Sequence, residues 1–169
     1  MDSVKIYFDM DGVLADFDRG VNELCGMQAA SQSGDESAAR DDRMWEGIRK
    51  VDHFYDRLEL MPGAKEMFDR VYGKYGERCE ILTGIPKPKR GIVTAGEDKI
   101  AWMKRMLSPD IRVNIVLREE KPRFCSGSES ILIDDRESNI REWREMGGTG
   151  ILHVSPEETL KELEKLDVL

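Results

Sequence analysis

Long hydrophobic runs are missing from this 169-residue chain, and no stretch approaches the roughly 20 apolar residues that a bilayer-spanning helix needs. The first residues, Met1-Asp2-Ser3, lead into a strand-like segment without a basic region followed by a long apolar one. A secretory leader is therefore not expected, and the cytoplasm is the expected location. Cysteine is scarce and odd in number: Cys25, Cys79 and Cys125 are far apart and form no Cys-x-x-Cys or Cys/His pattern of the zinc-binding kind. They read as inert thiols of a reducing compartment. The two histidines, His53 and His153, are isolated, so neither histidine nor cysteine chemistry is expected to carry a reaction. Positive charge is also in deficit, with 26 Lys and Arg against 34 Asp and Glu, a net −8. Such a field repels nucleic-acid polymers and anionic membranes, which leaves small molecules as the expected partners.

Carboxylates and alternating secondary structure are abundant. Apolar β-rich runs alternate with helical periodicity, which predicts an α/β fold with a doubly wound, mostly parallel five-stranded sheet. The strands read as Val4–Phe8, Cys79–Thr83, Val113–Leu117, Ile131–Ile133 and Gly150–Val154. Helices are expected after Pro62-Gly63, over Ile100, Met103 and Leu107 up to Ser108-Pro109, from Glu137 to Met146, and after Ser155-Pro156. Residues 16–60 break the alternation. They carry two helical stripes, Phe17/Val21/Leu24/Cys25 and Met44/Ile48/Val51/Tyr55/Leu58, separated by a polar segment from Gln28 to Asp42 that reads as a mobile loop. The expected organisation is a core of residues 1–15 and 61–169 with a small helical cap, 16–60, inserted after the first strand. Such an insertion lies where ligands bind in open α/β sheets, at the carboxyl ends of the strands.

Polar residues gather at those ends: Asp9 and Asp11 after the first strand, Thr83 at the end of the second, Asp134 and Asp135 after the fourth. Several carboxylates in one crevice repel one another unless a cation sits among them, and hard oxygen donors suit Mg²⁺.

The run Asp9-Met10-Asp11-Gly12-Val13-Leu14-Ala15-Asp16-Phe17 resembles the first motif of the haloacid dehalogenase-like phosphotransferases. Ile81-Leu82-Thr83-Gly84 resembles the second motif and Ile131-Leu132-Ile133-Asp134-Asp135 the fourth. Within that superfamily the chain is most similar to the 5'(3')-deoxyribonucleotidases, through Phe54 to Ala64, Lys99-Ile100-Ala101-Trp102 and Ile131 to Arg136. The resemblance implies a Mg²⁺-dependent phosphomonoester hydrolase acting on nucleoside monophosphates through an aspartyl phosphate; a phosphatase for another small metabolite, such as a phosphosugar, is the alternative. It implies Asp9 as nucleophile and Asp11 as general acid and base. Mg²⁺ would be held by Asp9, Asp134 and the Asp11 carbonyl, with Asp135 orienting its water. Thr83 and the Gly84 N–H would bind phosphate oxygens, and a lysine would neutralise charge. Lys99 is favoured for that last role over Lys121, which follows the third strand. Thr83 is followed by Gly84-Ile85-Pro86 where the family usually has Ser-Pro, so a side-chain phosphate contact is replaced by a backbone one. Phe17 and Tyr55 are the candidates for an aromatic slot over the substrate, the alternative being that they pack the two cap helices together, since both also fit the apolar stripes. A phospho-accepting receiver domain is disfavoured, because it carries its acceptor after the third strand and has no inserted lid.

Overall fold

Five short runs become strands; the central ones, around Ile81-Leu82 and Ile131-Leu132-Ile133, are apolar on both faces as strands buried between helices must be, while the edge run at Val113 carries Arg112 and Asn114. In the computed structural model, which describes residues 3–169, they are β1 (Lys5–Phe8), β2 (Cys79–Gly84), β3 (Arg112–Val116), β4 (Ser130–Asp134) and β5 (Thr149–Leu152). All pair in parallel in the order β3-β2-β1-β4-β5. Covering the sheet are α4 (Ala64–Tyr75), α5 (Ala95–Met106), α6 (Glu137–Glu145) and α7 (Pro156–Lys165). Their apolar stripes bury Met67, Phe68, Trp102, Trp143 and Leu163. The α/β, doubly wound reading therefore holds, with strand boundaries shifted by a residue or two.

Register sets the site. Phe8 pairs with both Ile81 and Ile133, and the Asp9 N–H donates to the Ile133 carbonyl at 2.9 Å. Asp9 and Asp134 thus leave neighbouring strands side by side at the same edge.

Between β1 and α4 lie α1 (Phe17–Cys25), α2 (Ala30–Ser33), α3 (Ala38–Arg49) and a 3₁₀ turn, Phe54–Arg57. The two ends of this insertion run together, with Ala15 bridging Leu60, Asp16 N–H donating to the Glu59 carbonyl and Met61 N–H to that of Leu14. Two expectations are corrected here. The segment 28–42, expected as a mobile loop, contains α2 and the start of α3. Ser37 caps α3 by accepting from the Arg40 N–H at 3.2 Å, and buried Arg40 donates to the Gln28 carbonyl. These elements are short and rich in polar and charged residues, so their apolar period is too sparse to read. The second stripe, expected as one helix, ends at Arg49. Tyr55 and Leu58 follow His53, whose left-handed backbone (φ 53°) breaks the helical path. Val21, Met44, Ile48, Phe54 and Tyr55 share one continuous apolar cluster with Phe8, Ile81 and Trp102. The Trp102 indole donates to the Leu58 carbonyl at 2.8 Å, Arg105 pairs with Asp56, and Arg90 pairs with Asp41 and Asp42, joining the insertion to the rest of the chain.

Neither histidine lies among the converging carboxylates. His153 is buried with Nδ1 2.7 Å from the Thr159 hydroxyl, and burial holds its imidazole below the ordinary range. A depressed imidazole contributes stability that is full above about pH 6.5 and is lost as pH falls through the folded-state value. His153→Gln is therefore expected to flatten the acid side of the unfolding curve by up to one proton, measured as melting temperature between pH 7 and 4.5. An unchanged slope would contradict this. The thiols are free, and burial pushes that of Cys79 up.

Candidate active site

At the carboxyl edge of the sheet, one carboxylate oxygen each from Asp9, Asp134 and Asp135 lies within 4.8 Å of the other two. Asp134 is fully buried and Asp9 nearly so; Asp135 is exposed as a residue, but its carboxylate lies against Gly12 and the other two carboxylates, where it loses water. Burial, and then the charge of Asp134, push Asp9 up to about 7, and burial with the same neighbour pushes Asp135 up to about 6. Both shifts have one physical cause: anions crowded into a poorly hydrated corner are costly until a cation joins them. A set of hard, anionic oxygen donors with this spacing fits a divalent cation of the Mg²⁺ kind. Asp11 offers no carboxylate to that group. The part the resemblance gives it is through its carbonyl, and its side chain is turned elsewhere.

One cation is already built in. Lys121 Nζ donates to Asp9 Oδ1 at 2.9 Å and Asp134 Oδ2 at 2.8 Å, and its side chain is 4 % exposed. Burial alone would lower this lysine, but Asp9 and Asp134 outweigh it and raise it above its ordinary value. The lysine that touches Asp9 is thus Lys121, not Lys99 as expected from sequence. Lys121 reaches the site from a 3₁₀ turn, Arg118–Phe124, that follows β3 and reads as a polar loop in the sequence.

Lys99, on α5, is also fully buried but points to a different set of oxygens. It donates to Asp11 Oδ2 (3.0 Å), Thr83 Oγ1 (2.9 Å) and the Gly84 carbonyl (2.7 Å). Thr83 is buried; its hydroxyl accepts from Lys99 and donates only at the long distance of 3.5 Å to the Gly84 carbonyl.

Asn139, missed in the sequence, belongs to the same cluster. Its side-chain amide donates to Asp134 Oδ2 at 2.9 Å from the first turn of α6, while the Arg136 N–H holds Asp134 Oδ1 at 2.9 Å. The available signal was an amide five residues beyond a strand-tip aspartate, on the face that a following helix turns inward. Arg118 in turn holds Asn139 Oδ1 at 3.2 Å.

Gly12 gives the loop its shape. Its φ is +82°, and a Cβ there would lie 2.0 Å from Asp135 Oδ2. Gly12→Ala combines left-handed strain, of order 1–3 kcal/mol, with displacement of Asp135. The expected outcome is a melting temperature lower by several degrees and loss of divalent-cation binding in titration calorimetry; parent-like binding would contradict it.

Phe17 and Tyr55 do come together, but face to face on each other. Their centroids are 6.3 Å apart with 27° between planes, and Phe17 also meets Phe54 at 5.8 Å and Trp45 at 6.0 Å. Two rings flanking a base would need about 7 Å, twice an ordinary contact distance between carbon atoms, so no slot lies between them. Tyr55 is buried and its ring faces Lys99 Nζ at 4.5 Å, while Phe17 is half-buried.

Known proteins resemble the chain along most of its length. It is 26 % identical over 150 residues to the mitochondrial 5'(3')-deoxyribonucleotidase of Mus musculus, covering 79 % of this chain and 65 % of that protein. It is also 26 % identical over 153 residues to the Homo sapiens protein of the same name, covering 79 % and 63 %. The match therefore spans a little under two thirds of those relatives. Among solved structures, a hydrolase from Pseudomonas syringae superposes with a TM-score of 0.57 at 14 % identity, covering 96 % of this chain and 98 % of that one. The L-2-haloacid dehalogenase of Xanthobacter autotrophicus does so with a TM-score of 0.51 at 12 % identity, covering 98 % and 84 %. At such identities these structures bear on the fold alone. The family model described as "5' nucleotidase, deoxy (Pyrimidine), cytosolic type C protein" matches residues 2–165, and the chain belongs to that family.

Proposed function

We propose that this chain is a Mg²⁺-dependent phosphatase that hydrolyses nucleoside monophosphates through a phosphorylated aspartate, as a 5'(3')-deoxyribonucleotidase. The observation that carries the reading is the convergence of Asp9, Asp134 and Asp135 around Lys121 at the tips of two adjacent strands. Membership of the nucleotidase family and the names of the mouse and human relatives support the nucleotide as substrate.

Asp9 is the nucleophile: one carboxylate oxygen bonds to phosphorus as the ester oxygen leaves, splitting hydrolysis into two displacements. Asp11 protonates the departing oxygen and then takes a proton from the attacking water. Asp9, Asp134 and the Asp11 carbonyl are the groups that would hold Mg²⁺, with Asp135 orienting its water; the ion supplies positive charge against the phosphate oxygens. Lys121 provides the protein's own charge there. Two of its three ammonium hydrogens are engaged with Asp9 and Asp134, which leaves one for a phosphate oxygen. The Thr83 hydroxyl and the Gly84 N–H hold the phosphate from the β2 side. The insertion of residues 16–60 serves as the cap, and half-buried Phe17, rather than fully buried Tyr55, is its aromatic contact for base or sugar.

The test is phosphate release from a panel of nucleoside monophosphates and sugar phosphates. EDTA treatment should abolish release from the preferred nucleotide and added Mg²⁺ restore it. Preference for a phosphosugar would move the substrate class, and full activity in metal-free protein would overturn the mechanism.

A further inference from the structure

Lys99 and Asp11 form a unit distinct from the Asp9–Lys121–Asp134 cluster. An ammonium has three hydrogens, and Lys99 gives all three away, to Asp11 Oδ2, Thr83 Oγ1 and the Gly84 carbonyl. The Tyr55 ring covers a further side of the same nitrogen at 4.5 Å, and the lysine side chain is 0 % exposed. Nothing is left with which to bind phosphate. Asp11 is the converse case. Its Oδ2 is pinned by Lys99, whereas Oδ1 is buried with no hydrogen-bond partner, and no other side-chain nitrogen or oxygen among the described residues is in that position.

We propose that Lys99 is a positioning residue that fixes Oδ2 of Asp11, so that Oδ1 is the oxygen that exchanges the proton during ester cleavage. The inference rests on the phosphatase reading above and deepens it. In the first displacement the P–O ester bond breaks as Asp9 bonds to phosphorus, and the hydrogen on Asp11 Oδ1 passes to the departing oxygen, which leaves as an alcohol. In the second, water oxygen bonds to phosphorus, its proton passes to Asp11 Oδ1, and the Asp9 carboxylate is released with inorganic phosphate. A carboxyl free to rotate would present either oxygen; one held from behind at Oδ2 presents only the other. Tyr55 adds an aromatic face that keeps water from the ammonium, so the device draws on the inserted segment as well as on α5 and β2.

A group that acts through the general acid matters most when the leaving group needs a proton. Nucleoside monophosphates expel a strongly basic alkoxide, whereas p-nitrophenyl phosphate expels a stable phenolate. The experiment compares kcat and KM of the parent, Lys99→Met, Asp11→Asn and the double variant on both esters with Mg²⁺ present. Lys99→Met is expected to lose at least about tenfold more kcat on the nucleotide than on the aryl ester, with KM within about threefold of the parent. Adding Lys99→Met to Asp11→Asn is expected to slow the nucleotide reaction by less than about threefold further. Equal losses on the two esters, a loss carried by KM, or losses that multiply in the double variant would overturn the proposal. Lys99→Gln, which keeps a donor for Asp11, is expected to lose less than about threefold on either ester, and a loss of about tenfold or more on the aryl ester would overturn the proposal even where Lys99→Met melts below the assay temperature. A parent that hydrolyses neither ester would instead overturn the phosphatase reading beneath it.

Discussion

Asp9→Asn should reduce phosphate release by roughly 10⁴- to 10⁶-fold, the range seen when a nucleophile that works as part of a unit is removed. The fold should survive. The amide has the shape of the carboxylate, its oxygen can still accept from Lys121, and Lys121 keeps its second partner in Asp134. The change also removes the repulsion between Asp9 and Asp134 that makes the ionised pair costly. In metal-free buffer the variant is therefore expected to melt at or above the temperature of the parent. Loss of activity with a collapsed fold would contradict this, as would residual turnover near the parental rate.

Lys121→Met should have the second largest effect, and it should combine damage to rate and to stability. The ammonium is the protein's own counter-charge for Asp9 and Asp134, and without it two buried carboxylates face each other unpaired. Breaking a buried pair by removing one partner costs about 3–5 kcal/mol, so a clear fall in melting temperature is expected without divalent cation. Added Mg²⁺ should recover part of it, because the ion supplies charge to the same oxygens. Turnover should fall by about 10²- to 10³-fold even with Mg²⁺ present, the usual worth of one preorganised donor at a reacting oxygen. A smaller loss for Lys121→Met than for Lys99→Met on an aryl phosphate would reverse the assignment.

The contrast between the two lysines marks where the sequence could be read and where it could not. Strand ends are legible because a run such as Ile131-Leu132-Ile133 must be buried and the aspartates after it need not be. Parallel register then brings Asp9 beside Asp134. Lys121 follows β3 within a 3₁₀ turn whereas Lys99 lies inside α5, well beyond β2, and no one-dimensional pattern states how deep a long flexible side chain reaches. What decides is that Lys99 enters beside Thr83 while Lys121 enters between Asp9 and Asp134. Within the insertion, the segment 28–42 was illegible for another reason. Its order comes from single caps and side-chain bonds, such as Asn22 to Gln32 at 2.8 Å and Ser31 to Asp18 at 3.0 Å, rather than from an apolar period. Tyr55 looked like one more residue of a helical stripe until His53 turned the chain left-handed and set the ring over Lys99.

The proposed mechanism requires that Asp9 itself becomes phosphorylated. The direct measurement is to mix the Mg²⁺-loaded protein with a deoxynucleoside monophosphate labelled on phosphorus, quench in acid within the first turnover, and map the label by peptide mass spectrometry. Label is expected on Asp9 alone, lost on treatment with hydroxylamine and absent from Asp9→Asn. Label on any other residue, or label that persists in Asp9→Asn, would contradict it.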